Sequence, residues 1–238
     1  MSDPAAANTD EPMLPATRAV RVWDLPTRLF HWLLAVAVLA QVVTGKMGGN
    51  ALDWHFRIGY CIFALLGFRL VWGLIGGHWS RFSSFVRGPA AVRRYLRGEH
   101  RPDDHFHVGH NPLGTGSVLA MLALLVAQVG TGLVADDEIA SVGPLNKYVS
   151  SATASSATAW HKGAGQGLII TLVVLHVAAI AWYRYRKQQH LVRAMVTGDK
   201  DLAADVPASD DTRLARLRAL ALIVIWAGLV ASVVKLGG

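Results

Sequence analysis

The sequence predicts an all-α integral membrane protein, a four-helix bundle with a fifth C-terminal transmembrane helix. Three observations support this: the composition is 53% hydrophobic and only 16% charged, the apolar residues gather in five runs of membrane-spanning length, and the basic residues gather on alternate connections. The runs lie near residues 29 to 45, 54 to 75, 113 to 135, 160 to 183 and 215 to 234. Five spans of roughly 20 residues use most of a 238-residue chain, so a large separate soluble domain is excluded. The net charge of +7 reads as a membrane signal rather than a nucleic-acid one, because of where the cations fall. Lys and Arg number 3 before the first run, 7 between Arg69 and Arg101 and 8 between Arg184 and Arg218. The other side holds Lys46, Arg57, Lys147, Lys162 and Lys235, together with the acidic Asp136, Asp137 and Glu138. The positive-inside rule then places the N-terminus in the cytoplasm and the C-terminus outside.

Residues 1–20 lack a signal peptide's basic start and apolar core, and are expected to form a disordered cytoplasmic tail. The first span follows as an uncleaved anchor with one polar intruder, His31. The second run contains Cys61, which alone can close no intramolecular disulfide and reads as a small buried thiol. After it comes the longest connection, 76 to 112, where Ala91 to Arg97 could form a short amphipathic helix among headgroups or a solvated basic loop. His105 and His107 there resemble a metal tract but suit a solvated loop better, and His78, His100 and His190 read as surface or interface residues. Residues 148–159 read as a small-residue linker outside the membrane, and residues 191–213 as a cytoplasmic linker before the fifth helix at 214–238. The tryptophans at span ends, among them Trp23, Trp32, Trp54, Trp72, Trp79, Trp160 and Trp182, suit an aromatic belt.

The chemistry lies in four histidines within the spans, since an imidazole at membrane depth needs a partner or a ligand. His31 opens the first span, His55 opens the second, and His161 and His176 lie fifteen residues apart on the fourth. Because successive spans run in opposite directions, His31 and His176 share the cytoplasmic half and His55 and His161 the outer half. Fifteen residues of continuous helix separate the two levels by roughly 22 Å and rotate the side chains by only about 60°. Two neutral imidazoles per level are the axial ligands of a b-type haem, whereas zinc takes three or four protein ligands. Gly59 and Gly165, each four residues after a histidine, either let a flat macrocycle approach the backbone or serve ordinary small-residue packing. Arg69 and Arg57 could pair with haem propionates of the inner and outer groups, or snorkel to the interface. His110 and Asn111, at the start of the third span, offer polar groups for a quinone slot or merely shape the turn.

These residues bring a family into view. The segments "RLFHWLLA", "HFRIGYCIFALLGFRLVWG", "GHNPLGTGSVLAMLALLVAQVGTGL" and "WHKGAGQGLIITLVVLHVAAI" together resemble the bacterial cytochrome b561 and nickel-iron hydrogenase b-type cytochrome family over residues 21–190. The resemblance implies a four-helix core with two haems b, each ligated by two histidines in the pairing already reached from depth. It also implies electron transfer between the quinone pool and a periplasmic partner such as a c-type cytochrome or hydrogenase, as a subunit rather than a stand-alone enzyme. Two other readings stay open: a membrane oxidoreductase acting on a small molecule such as superoxide with quinone, and a non-redox transporter or assembly subunit. The third lacks the discontinuous, repeat-related helices common in transporters and leaves the four histidines unexplained. The fifth helix lies outside the four-helix pattern.

Overall fold

The computed structural model describes residues 17–99, 101, 104–139, 141–203 and 206–237. In chain order the elements are β1 (Thr17–Arg21), α1 (Leu25–Met47), α2 (Ala51–Ile75), α3 (Phe82–Phe85), α4 (Pro89–Leu96), α5 (Pro112–Val134), α6 (Ser151–Lys162), α7 (Ala164–Arg186), α8 (Leu191–Thr197), β2 (Asp199–Ala203) and α9 (Arg213–Lys235). Five helical segments are long and apolar enough to cross a membrane: α1, α2, α5, α6 continued by α7, and α9. All five coincide with the apolar runs of the sequence.

Helix starts are set by side chains that satisfy the free amides of the first turn. Asp24 accepts from Thr27 N, Asn111 from Gly114 N, Ser150 from Thr153 N and Thr212 from Ala215 N. Pro26 and Pro112 sit in first turns, where their missing N–H costs nothing. The turn from α1 to α2 is short because Gly48 and Gly49 adopt positive φ, +65° and +53°. Helix α2 is central and packs on α1, α5 and α9. Its late turns bury Leu66, Gly67, Phe68, Arg69, Trp72 and Gly73. The fifth helix α9 packs on this bundle through Ala215 and Ala219, and the Trp226 indole lies over Gly67, where any Cβ would collide with the ring. Cys61 faces outward rather than into the core expected for it, where lipid is the solvent for an apolar thiol.

Three regions depart from the sequence expectation. Residues 17–20 of the expected tail belong to a strand, β1, which pairs antiparallel with β2 from Thr17↔Ala203 to Arg21↔Asp199; residues 1–16 lie outside the described residues. The expected linker 191–213 likewise supplies α8, β2 and the first residue of α9. With Trp79 and Val108, these segments enclose a small apolar core of Val20, Val22, Trp23, Ala194, Leu202 and Val206. This cap closes the end of the bundle where α1 begins. Trp23, Trp72 and Trp79 are only 5%, 2% and 3% exposed, buried in the cap and the adjoining helix ends rather than in a lipid-facing belt. Trp32, Trp54 and Trp182 are exposed, as a belt requires. The expected small-residue linker 148–159 is helical from Ser151, because its alanines favour helix and Ser150 caps it. A break at Gly163 separates α6 from α7, so His161 and His176 stand on two successive helices rather than on one unbroken face.

The cap is polar where it meets the bundle. Asp24, wholly buried, accepts from Thr27 N at 2.8 Å, Trp72 Nε1 at 3.2 Å and Ser80 Oγ at 2.6 Å. Arg21 bridges Asp199 at 2.7 Å and Asp211 at 2.8 Å, tying β1 to β2 and to the start of α9. Helix α4 forms where the amphipathic segment was anticipated, and its Arg94 pairs with Asp104 at 2.8 Å.

Candidate functional site

The four span histidines meet in the two expected pairs. Far from the cap, the rings of His55 and His161 have centroids 6.0 Å apart and planes at 81°. Nearer the cap, His31 and His176 have centroids 6.4 Å apart and planes at 50°. Two metal–nitrogen bonds of about 2 Å, plus roughly 1 Å from each bonded nitrogen to its ring centre, require a separation near 6 Å. Both pairs have room for one metal ion between them. Among the described residues no group of three or more His, Cys, Asp or Glu could hold a metal ion, which disfavours zinc.

The far pair borders a cavity of about 390 Å³, lined largely by aliphatic side chains such as Val38, Leu125, Val129 and Ile169. His55 Nδ1 lies 3.2 Å from Gln41 O, and His161 Nδ1 lies 2.9 Å from Gln128 O. A carbonyl oxygen only accepts, so each Nδ1 carries the proton and donates it, leaving the Nε2 lone pair free for a ligand bond. An apolar cavity with paired, unprotonated imidazole nitrogens fits a haem b.

Sequence reasoning missed what holds these rings. Residues 40–45 read AQVVTG and residues 127–132 read AQVGTG, a repeat of six positions with one difference. Each is followed by the same Trp-His-x-x-x-Gly pattern, at Trp54–Gly59 and Trp160–Gly165. In both copies the glutamine amide reaches across to the histidine backbone: Gln41 Nε2 donates to His55 O at 2.9 Å and Gln128 Nε2 to His161 O at 2.8 Å. Gly45 and Gly132 lie against the imidazoles, where an added Cβ would stand 3.1 Å from His55 Cε1 and 2.8 Å from His161 Cε1. Gly59 lines the cavity, and both Gly59 and Gly165 also lie against the glutamine side chains. A Cβ on Gly59 would lie 2.9 Å from Gln41 Nε2, and one on Gly165 would run into Gln128 Oε1. These glycines make room for the glutamines. The exact recurrence of A-Q-V-x-T-G was the available signal.

Around the cap-side pair, several buried polar atoms have no hydrogen-bond partner: His31 Nδ1, His110 Nδ1 and Arg69 Nη1. Arg69 is 3% exposed, and its guanidinium lies 4.9 Å from the Phe82 ring centre. A buried, incompletely bonded cation is suited to a carboxylate such as a haem propionate. His110 sits between Trp23 at 4.8 Å and Phe85 at 4.7 Å. Burial, reinforced by the charge on Arg69, pushes its pKa down to about 3, so it is a neutral imidazole. Asn111 is tied to the turn, with Oδ1 accepting from Gly114 N at 2.8 Å and Nδ2 donating to Tyr183 Oη at 2.6 Å.

Arg57 is exposed and lies 5.4 Å from the Trp54 ring centre, whereas Lys46 and Lys162 line the far cavity. Each lysine comes from one copy of the repeated pattern. His105 stands edge-on to Trp79 at 6.0 Å, and the His107 carbonyl accepts from Lys200 Nζ at 3.2 Å. His78 is half-buried beside Trp79, His190 is exposed, and His100 lies outside the described residues.

Known proteins resemble this chain over most of its length. A Probable Ni/Fe-hydrogenase B-type cytochrome subunit from Azotobacter chroococcum mcd 1 is 29% identical over 79% of this chain and 91% of its own length. A protein of the same description from Cupriavidus necator is 27% identical over 81% of this chain and 93% of its own. The Probable Ni/Fe-hydrogenase 1 B-type cytochrome subunit of Escherichia coli (strain K12) is 23% identical over 74% and 88%. No solved structure gives a significant match. The family described as Prokaryotic cytochrome b561 matches residues 22–198, which take in all four histidines and both A-Q-V-x-T-G segments, and the chain belongs to that family.

Proposed function

We propose that the chain is a dihaem membrane cytochrome b that carries electrons between a partner outside the membrane and a quinone within it. The supporting observation is the meeting of two imidazole pairs, 6.4 Å and 6.0 Å between ring centres, from different spans at two depths. Haem b supplies a reversible one-electron iron couple, and two imidazoles per iron leave no coordination position for oxygen or substrate. The chain's own work is to orient the ligands, keep water out and place charge. Val38, Leu125, Val129 and Ile169 exclude water at the outer level. His55 and His161 are held in the ligating tautomer by backbone carbonyls. Arg69 Nη1 is an unused donor for an inner propionate.

The relatives named as hydrogenase subunits make a hydrogenase the leading class of partner, with an exported c-type cytochrome as the other. The cap, built from cation-rich connections, faces the cytoplasm in an inner membrane, so the His55–His161 level faces the partner. On the inner side His110 offers a neutral imidazole near Arg69 for a quinone, beside Asn111, which also caps the helix start.

The test is haem stoichiometry in purified protein. Pyridine haemochrome should give two haems per chain, falling to about one in His31→Ala or His176→Ala (inner site lost) and in His55→Ala or His161→Ala (outer site lost). Retention of both haems with unchanged low-spin spectra in either member of a pair would refute that pairing.

A further inference from the structure

The two histidine pairs differ in what their distal nitrogens touch. Both outer imidazoles donate Nδ1–H to a carbonyl, at 3.2 Å and 2.9 Å, and both carbonyls belong to the glutamines of the repeated A-Q-V-x-T-G segments. Among the described residues neither inner imidazole makes such a bond, and His31 Nδ1 is shut off from solvent with no partner. We propose that the twin A-Q-V-x-T-G segments are positioning braces for the outer ligands, and that they make the outer haem the lower-potential member of the pair.

The brace works from both hairpins at once. In α1, Thr44 Oγ1 donates to Ala40 O at 2.7 Å, Gln41 O faces His55 Nδ1, and Gln41 Nε2 grips the His55 carbonyl at 2.9 Å. In α5, Thr131, Gln128 and His161 repeat the arrangement, with corresponding distances of 2.9, 2.9 and 2.8 Å. Glycines at the sixth position of each segment let the rings lie close to the helix, and Gly59 and Gly165 let the glutamine side chains cross. An imidazole that donates Nδ1–H to a carbonyl is a more basic ligand, and a more basic ligand favours ferric over ferrous iron. The charges act in the same direction. Lys46 and Lys162 line the outer cavity together with Asp137 and are exposed, which weakens their effect, whereas Arg69 near the inner level is 3% exposed and, though partly offset by Asp24, favours the reduced state there.

The inference rests on the dihaem reading, and the experiment separates the two. Haem stoichiometry of the full-length protein comes first; fewer than two haems sinks the dihaem reading itself. Potentiometric titration of the α-band then assigns the centres, using His31→Ala to leave the outer haem and His55→Ala to leave the inner one. The outer haem is expected to titrate at the lower potential. Gln41→Leu and Gln128→Leu, which release the histidine carbonyls, should raise the outer potential toward the inner one by about tenfold in the ferric-to-ferrous ratio, about 59 mV for one electron, with the inner unchanged. Thr131→Val should move it the other way, because the Thr131 hydroxyl also donates to Gln128 O, at 3.0 Å, and its loss leaves that carbonyl to the imidazole. A change in helix packing alone would not produce opposite shifts confined to one haem. An outer potential at or above the inner one, or variants with both haems bound and the outer potential unmoved, would overturn the proposal; so would loss of haem in the Gln variants combined with no downward shift in Thr131→Val.

Discussion

At the scale of single residues, absent side chains matter as much as present ones. Gly132 is the sharpest case, because any Cβ there lies 2.8 Å from His161 Cε1. Gly132→Val is expected to push that ring off its axis and reduce haem content from two per chain to about one, read by pyridine haemochrome, with the inner haem spectrum retained. Asp24 is the opposite case, a fully buried carboxylate with three donors aimed at it. Asp24→Ala removes an N-cap and orphans the Trp72 and Ser80 donors, a loss of about 3 kcal/mol, seen as earlier thermal unfolding in detergent. A wild-type melting curve for that variant would mean the network contributes nothing.

At the scale of elements, α9 is held by shape more than by apolarity. Its outer face meets lipid, so the transfer of apolar surface from water cannot drive its docking; close approach of Trp226 to Gly67 can. Gly67→Leu is therefore expected to detach α9 from α2 while both haems stay bound, measured by loss of cross-linking between paired cysteines placed on the two helices. In the cap, burial pushes Lys200 down to about 8 from its ordinary value. Its folded-state pKa lies below that of the unfolded chain, so folding releases a proton between the two values and the cap should become more stable as pH rises from about 8 to about 10. Amide exchange in β1 and β2, corrected for intrinsic rate, is the measurement. The spans and the four histidines were legible in the sequence because lipid enforces length and makes an intramembrane imidazole conspicuous. The cap was not, since five-residue strands such as Thr17–Arg21 carry little periodic signal and their partners lie some 180 positions away. The braces were visible as a repeat, but a glutamine and a threonine in an apolar run look like ordinary packing until their partners are known.

At the scale of the whole molecule, the paired strands give a check on topology independent of charge. β1 precedes the first span and β2 follows the fourth, so an even number of crossings returns the chain to the side where it started, as the β1–β2 pairing requires. Single cysteines introduced at the exposed Ala208 and at Ser141, with Cys61 replaced by Ala, should label from opposite faces of intact spheroplasts: Ser141 from outside and Ala208 only after lysis. Labelling of both from outside would reverse or break the proposed orientation. The same pairing governs how the protein is made. The strand at Thr17–Arg21 emerges from the ribosome early but has no partner until Asp199–Ala203 has been synthesised. The leading strand therefore has no strand partner until the four preceding spans have been made, and its pairing comes after all the ligand-bearing segments in the chain. A chain stopped short of residue 199 would keep that edge open and offer quality-control proteases a handle that the finished molecule conceals.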